Sequence, residues 1–260
     1  NQLTSGDTVA GGEGEDILQI SAEATAAAAA DVSGFEVLEM STAGQNQDMA
    51  QFTGNTFTEV EYGAAGASEV TNAGAEITEI RVVNNNANTF TFDRLVDTDD
   101  LALTVSGATA GGTDVNTLTV NDEETLTVAA GEVTAGNTFE VGTLNADDLT
   151  TLNISGVADV VVGGDAAIAG ANDSLATIDA SGNTGTVEVD ASNSTIDLTF
   201  TGASDDANTV TGGTGDDTYT GGTVVDAGTL QLEYASSGVG TIRGAVTVNA
   251  AGVIDYTTDN

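Results

Sequence analysis

Two stretches of this chain space glycines and carboxylates as a hard divalent cation would require. Gly11-Gly12-Glu13-Gly14-Glu15-Asp16-Ile17-Leu18-Gln19 and Gly212-Gly213-Thr214-Gly215-Asp216-Asp217-Thr218-Tyr219-Thr220 both follow G-G-x-G-x-D-x-U-x, where U is large and apolar. The glycines allow a tight turn whose backbone carbonyls face one point, and the Asp at the sixth place adds a carboxylate oxygen. The apolar residue at the eighth place opens a strand whose side chain can fill an interior. Oxygen ligands of this kind suit calcium. The first motif follows a partial copy carrying Asp7 and Val9, and the second is flanked in register by copies with Asn208 and Asp226 at the sixth place. The candidate ligands are therefore Asp7, Gly12, Gly14 and Asp16 at one end, and Asn208, Gly213, Thr214, Gly215, Asp216, Asp217 and Asp226 at the other. In a roll with two nonapeptides per coil, an ion is clamped between turns eighteen residues apart, which couples Asn208 with Asp226. By the same rule Asp217 would face Thr199 and Ala235, which carry no charged oxygen, so its shell would lean on the carbonyls of Thr214 and Asp216.

Further acidic clusters, Asp97-Thr98-Asp99-Asp100, Asp122-Glu123-Glu124, Asp147-Asp148 and Asp205-Asp206, are weaker candidates. Asp favours turns for its own local hydrogen bonds, so each cluster taken singly fits a solvated turn. Amid these carboxylates, Arg81 and Arg94 are expected in ion pairs rather than as ligand clamps.

The charge balance is extreme. Among 260 residues there are 41 acidic and 3 basic ones, a formal net charge of -38. No basic patch can be assembled to neutralise phosphates, which excludes nucleic acid and an anionic membrane surface as partners. Carboxylates at this density repel one another in a compact state, so folding is expected to need cations, salt or both. The absence of Cys and His removes disulfides, thiol chemistry, histidine acid/base catalysis and the usual zinc ligands. An enzyme here would have to work with carboxylates alone, and a carbohydrate enzyme usually shows aromatic platforms, whereas this chain has no Trp and 4 Tyr. We expect a non-catalytic protein. No apolar run is long enough to span a membrane, and a chain beginning with Asn1 is expected to be part of something longer.

The elements that must position these turns are mostly strands. Ser21 to Asp31 is Ala-rich and predicts the one helix, ended by Val32-Ser33-Gly34. Phe35 to Met40 predicts a strand with Phe35, Val37 and Leu38 as its inward residues. Short apolar runs between Gly, Asn and Asp turns then recur from Thr56–Tyr62 to Thr195–Thr201. Leu101-Ala-Leu-Thr-Val-Ser-Gly107, Thr117-Leu-Thr-Val-Asn121, Thr125-Leu-Thr-Val-Ala129 and Thr151-Leu-Asn-Ile-Ser-Gly156 are variants of one unit, a strand followed by a turn. Units this small bury their apolar face only by stacking. With 4% aromatic residues and no proline to interrupt a ladder, the chain predicts an all-β fold. It would be a repetitive β-solenoid or β-roll with calcium-binding turns, or a β-sandwich grown from one. Composition divides it into residues 1–43 (first motif, helix, strand), 44–190 (repetitive β region) and 191–260 (second motif and strand repeats).

Several phrases together resemble the RTX-type surface-layer proteins of Gram-negative bacteria. They are Leu3 to Leu18 with Val32-Ser-Gly-Phe-Glu-Val-Leu38, Asp148 to Gly156, Ala176-Thr-Ile-Asp-Ala-Ser-Gly182 and the second glycine-rich motif. Residues 44–100 match in composition alone. The resemblance implies calcium-dependent folding, assembly of the chain with copies of itself on the outer cell surface, contact with cell-surface polysaccharide, and type I secretion. A calcium-dependent spacer or binding module of a large RTX adhesin is the alternative.

Overall fold

The T-L-T-V units alternate polar and apolar side chains, so each forms a strand with one wet and one buried face. In a computed structural model these strands stack in parallel as a β-solenoid. The structure describes residues 3–63, 66–82, 88–96, 102–107, 114–130, 135–170, 173–203, 208–212, 218–220, 223–234, 241–243 and 246–258. An eleven-stranded sheet begins with Ile17–Ile20, Val37–Met40, Glu59–Tyr62 and Glu79–Val82, continues through Ala102–Gly107, Thr125–Ala130, Thr151–Gly156 and Thr177–Asn183, and ends with Thr199–Thr201, Thr218–Thr220 and Thr241–Arg243. Strands lying between these in sequence form an eight-stranded sheet from Asn46–Asp48 to Asn208–Thr211. The larger sheet passes residues 43–44 and 190–191 without interruption of its pairing. Thr223–Tyr234 and Val246–Thr258 pair with each other in a separate two-stranded sheet.

Successive coils are offset by 20 residues near the N-terminus and by 26 in the middle. Because the offset is held in register, like residues stack on like. Leu18, Leu38, Val60 and Ile80 form one interior column, and Ile20, Met40, Tyr62 and Val82 the next. Leu126, Leu152, Ile178 and Phe200 continue the interior farther along. Each such side chain contributes about 1.5–3 kcal/mol through its removal from water. Phe35, Val37 and Leu38 are buried, and Met40 with them, although Val37 shares its register position with the exposed Ile17 and with Glu59. Asn46–Asp48 and Ser68–Ala73 are strands that the sequence does not announce, because their residues are largely polar. Within Ser68–Ala73 a bulge after Val70 places Asn72 at φ 54°, and its amide donates to Asp48 Oδ1 at 3.0 Å.

The Ala-rich segment is helical over Ala26–Ala29, a single turn rather than the whole of Ser21–Asp31. Thr25 caps it through its hydroxyl, which accepts from the Ala28 amide. The turn is held by tertiary contacts: the Ala24 amide donates to Gln47 Oε1 at 2.9 Å, and Gln45 Nε2 donates to the Ile20 carbonyl at 3.2 Å. Both Gln45 and Gln47 are buried. The segment lies one coil before Asn46–Asp48, the first strand of the smaller sheet.

One cation is built into the interior. Arg94 Nε donates to Glu123 Oε1, and its Nη1 donates to the carbonyls of Gly74 and Ile77 at 2.8 and 2.6 Å. The Arg94 amide donates to Asp122 Oδ2, and its guanidinium lies 4.8 Å from the Phe92 ring centre. Arg94 and Glu123 are both buried, and the contacts tie three consecutive coils together. Burial pushes the Glu123 carboxyl up, against the opposing pull of Arg94. Removing one partner of such a pair leaves a buried charge uncompensated. Arg94→Met is therefore expected to lower the unfolding free energy by about 3–5 kcal/mol in a denaturant titration, and Arg94→Met with Glu123→Leu to recover most of that loss.

Candidate metal-binding turns

The first glycine-rich motif is a corner between two strands, Val9–Ala10 and Ile17–Ile20. Its backbone is locked to the next coil: the Gly11 amide donates to Ser33 O at 3.0 Å, and the Gly34 amide donates to Gly54 O at 3.1 Å. A methyl added to Gly11 would stand 1.9 Å from the Gly34 carbonyl oxygen, so glycine is required here by the approach of the neighbouring coil. Gly14 has φ +118° and needs glycine for its conformation. The coil offset of 20 residues sets Asp16 beside Glu36, whose Oε2 accepts from the Asp16 amide at 2.9 Å. The Asp16 side chain sits under the glycine corner, with Oδ2 3.7 Å from where a Gly12 Cβ would be. That oxygen is buried and has no hydrogen-bond donor. A buried carboxylate oxygen without a donor is costly, and a cation would satisfy it.

The structure thus brings Asp16, Gly12 and Glu36 into one neighbourhood. Glu36 is the ligand candidate that inspection of the motif alone misses. Its signal is the alignment of Asp16-Ile-Leu18 with Glu36-Val-Leu38, visible once the coil length is known. Asp7 is engaged elsewhere: its Oδ2 accepts from the Thr4 amide at 2.9 Å and from the Thr4 hydroxyl at 2.7 Å. Those two bonds, the hydroxyl's first, hold the exposed Asp7 carboxyl below the usual aspartate range.

At the other end, Asn208 pairs with Val187 of the preceding coil, and its amide group makes two bonds to the backbone of Ala203, each 3.1 Å. Asp226 lies in Thr223–Tyr234, which pairs with Val246–Thr258 and not with the strand of Asn208. Gly213, Thr214, Gly215, Asp216 and Asp217 lie outside the described residues, as do Asp97, Asp99, Asp100, Asp205 and Asp206. Among the described residues no group of three or more acidic side chains is placed to hold an ion, so an ion at Asp16 and Glu36 would draw its remaining oxygens from backbone or water. Asp122-Glu123-Glu124 is divided between a bond to the Arg94 amide and the buried ion pair. At Asp147-Asp148 the Asp148 amide donates to Asn121 O, and the Asp147 carbonyl accepts from Ser174.

Outside the turns, stacking builds columns of carboxylate. Glu39 stands opposite Glu61, and Glu59 opposite Glu79, on adjacent strands of the larger sheet. Arg81 sits among them, 2.9 Å from Glu59 and 3.6 Å from Glu61. Burial pushes the carboxyls of Glu59 and Glu61 above the ordinary glutamate value, and for Glu61 the neighbouring charges of Glu59 and Glu39 add to it. Burial likewise raises Asp93, aided by the adjacent Asp122.

No protein-family model, curated protein or solved structure matches this chain.

Two measurements test this geometry. A carboxyl raised in the folded state favours folding more once it is protonated. The contribution of Glu61 to stability should therefore rise as pH falls through its raised folded-state value, and be complete below the ordinary value of 4.5. Glu61→Gln should raise the denaturation midpoint at pH 7 and reduce its further rise on acidification. Gly11→Ala, which forces a methyl against the Gly34 carbonyl, should cost about 1–3 kcal/mol in chelator, as overpacking does.

Proposed function

We propose that the chain is an extracellular, calcium-stabilised structural protein that assembles with copies of itself into a surface layer, sheath or filament. The observation that carries this reading is the buried, donorless Asp16 Oδ2 beneath a glycine corner, with the Glu36 carboxylate of the next coil beside it. Asp16, Glu36 and turn carbonyls would hold the ion. Calcium would supply positive charge where stacking has placed carboxylates against carboxylates, and would stabilise whatever state binds it.

The architecture fits a structural role. Eleven strands at about 4.8 Å make a rod about 50 Å long. Ile17–Ile20 is the first strand of the larger sheet; no strand pairs with its outer edge among the described residues, and Ile17 is 52% exposed. Such an edge is a template for further pairing. Between copies carrying a net charge of -38, bridging calcium would offset the repulsion that otherwise keeps them apart. Recognition of cell-surface polysaccharide and type I secretion belong to this reading and come from the sequence resemblance. A rod grown by stacking also suits a spacer of a large RTX adhesin, which would fold with calcium and remain monomeric.

Electron microscopy across a calcium titration, from excess chelator through the ~1 mM range of extracellular modules, separates these readings. Sheets or filaments that form only with calcium are the expected result. Dispersed particles at every concentration would favour the adhesin spacer. Calcium at 100 times its Kd should add about 2.7 kcal/mol to the unfolding free energy per site. Asp16→Asn with Glu36→Gln should remove one such increment, measured as the shift of the denaturation midpoint on chelation.

A further inference from the structure

The outward positions of the eleven-stranded sheet divide into two fields of different chemistry. The first four strands carry Glu39, Glu59, Glu61 and Glu79 there, with Gln19 and Arg81. Beyond them the charge almost disappears. Thr125, Thr151, Thr177, Thr199 and Thr218 occupy one register position on five consecutive strands. Two residues along, Thr104, Thr127, Asn153 and Asp179 occupy the neighbouring position on four consecutive strands. Each alternates with a buried residue such as Leu126, Leu152 or Ile178, so both rows face outward. In a chain with 41 acidic residues, Asp179 is the one carboxylate in these rows.

The rows form a two-dimensional grid. Strand spacing sets one repeat at about 4.8 Å, and two residues along a strand set the other at about 6.7 Å. Neither row is interrupted by a register shift; the shift between the strands at 151–156 and 177–183 falls after Asn153. Thr is stiff at χ1, so hydroxyl and methyl groups recur with few orientations from strand to strand. Each threonine offers one donor, two acceptor positions and a methyl group, while Asn153 and Asp179 offer a carboxamide and a carboxylate. A rigid grid of this kind imposes regular rows on the water in front of it.

Other occupants fit less well. The nine positions of the two rows cover roughly 300 Å² at the strand spacings above, against the roughly 800 Å² per partner of a stable protein interface. The rows hold no aromatic side chain on which a sugar ring could stack and no basic group for an anion. A crystal face, by contrast, repeats its oxygen positions at fixed spacing, as the two rows repeat theirs. We infer that this threonine face binds ice, the ligand being the ordered oxygen rows of a crystal surface. This inference is independent of whether the chain forms a surface layer.

The test is thermal hysteresis and ice-crystal shaping by the purified, calcium-loaded chain. Thr151→Tyr and Thr177→Tyr are compared with Thr143→Tyr, an outward position of the opposite sheet, and circular dichroism confirms the fold of each. Tyr is favoured in strands, so these outward changes should preserve the coil. The expected result is faceted crystals and a hysteresis gap for wild type and Thr143→Tyr, with loss of both for Thr151→Tyr and Thr177→Tyr. A folded wild type that leaves ice growth unchanged overturns the inference. So does hysteresis that survives both threonine-face substitutions, or that is lost equally in Thr143→Tyr.

Discussion

Registered stacking of one coil on the next is the constraint from which the rest of the structure follows. A parallel strand pair at fixed offset places each residue on its counterpart one coil away, so the chain must use the same chemistry at the same place again and again. For the interior this is favourable: Leu126 on Leu152 on Ile178 is a continuous apolar column that no single coil could bury. On the surface the same rule acts against stability wherever acids recur, as with Glu39 on Glu61 and Glu59 on Glu79. The folded state therefore combines strong, evenly distributed apolar burial with localised electrostatic strain, and cations in solution act on the second without touching the first.

The basic residues matter out of proportion to their number. Arg81 is set among the carboxylate columns, where it offsets repulsion that stacking creates. Arg94 lies inside, where its guanidinium joins Glu123 to the carbonyls of Gly74 and Ile77 and rests on Phe92. A buried pair of this kind is weak evidence for net stability, since its desolvation is expensive, but it strongly disfavours any alternative register in which one partner would be buried alone. In a repetitive chain, where slipped registers are the natural competitors, that discrimination has physical value.

Glycine-rich corners serve the same constraint before they serve any ion. Gly11 admits the carbonyl of Gly34 from the next coil, and Gly54 meets Val32 and Ser33 in the same way one coil later. The Asp16 carboxylate is positioned by this corner, so a cation held there would depend on coil packing: loosening the stack would also separate Asp16 from Glu36. A calcium ion bound there would report the stacked state, not a nonapeptide in isolation.

Much of the fold was legible in the sequence, because period-two alternation and repeated T-L-x-V units are local signals of strands that must stack. The all-β solenoid and most strands of the larger sheet could be read from those signals, and the Arg81 and Arg94 ion pairs from the surplus of carboxylates. Strands such as Asn46–Asp48 and Ser68–Ala73 could not, since their polar residues acquire strand geometry from neighbours rather than from propensity. The Ala-rich segment carried a strong helix propensity over Ser21–Asp31, yet coil geometry admits a single turn, Ala26–Ala29, held by Gln45 and Gln47. For the candidate site, the sequence pointed to Asp16 and Gly12 but could not supply Glu36. A ligand twenty residues away is chosen by coil length, and coil length is the sum of every turn in the stack, a quantity that exists only once the chain has closed on itself.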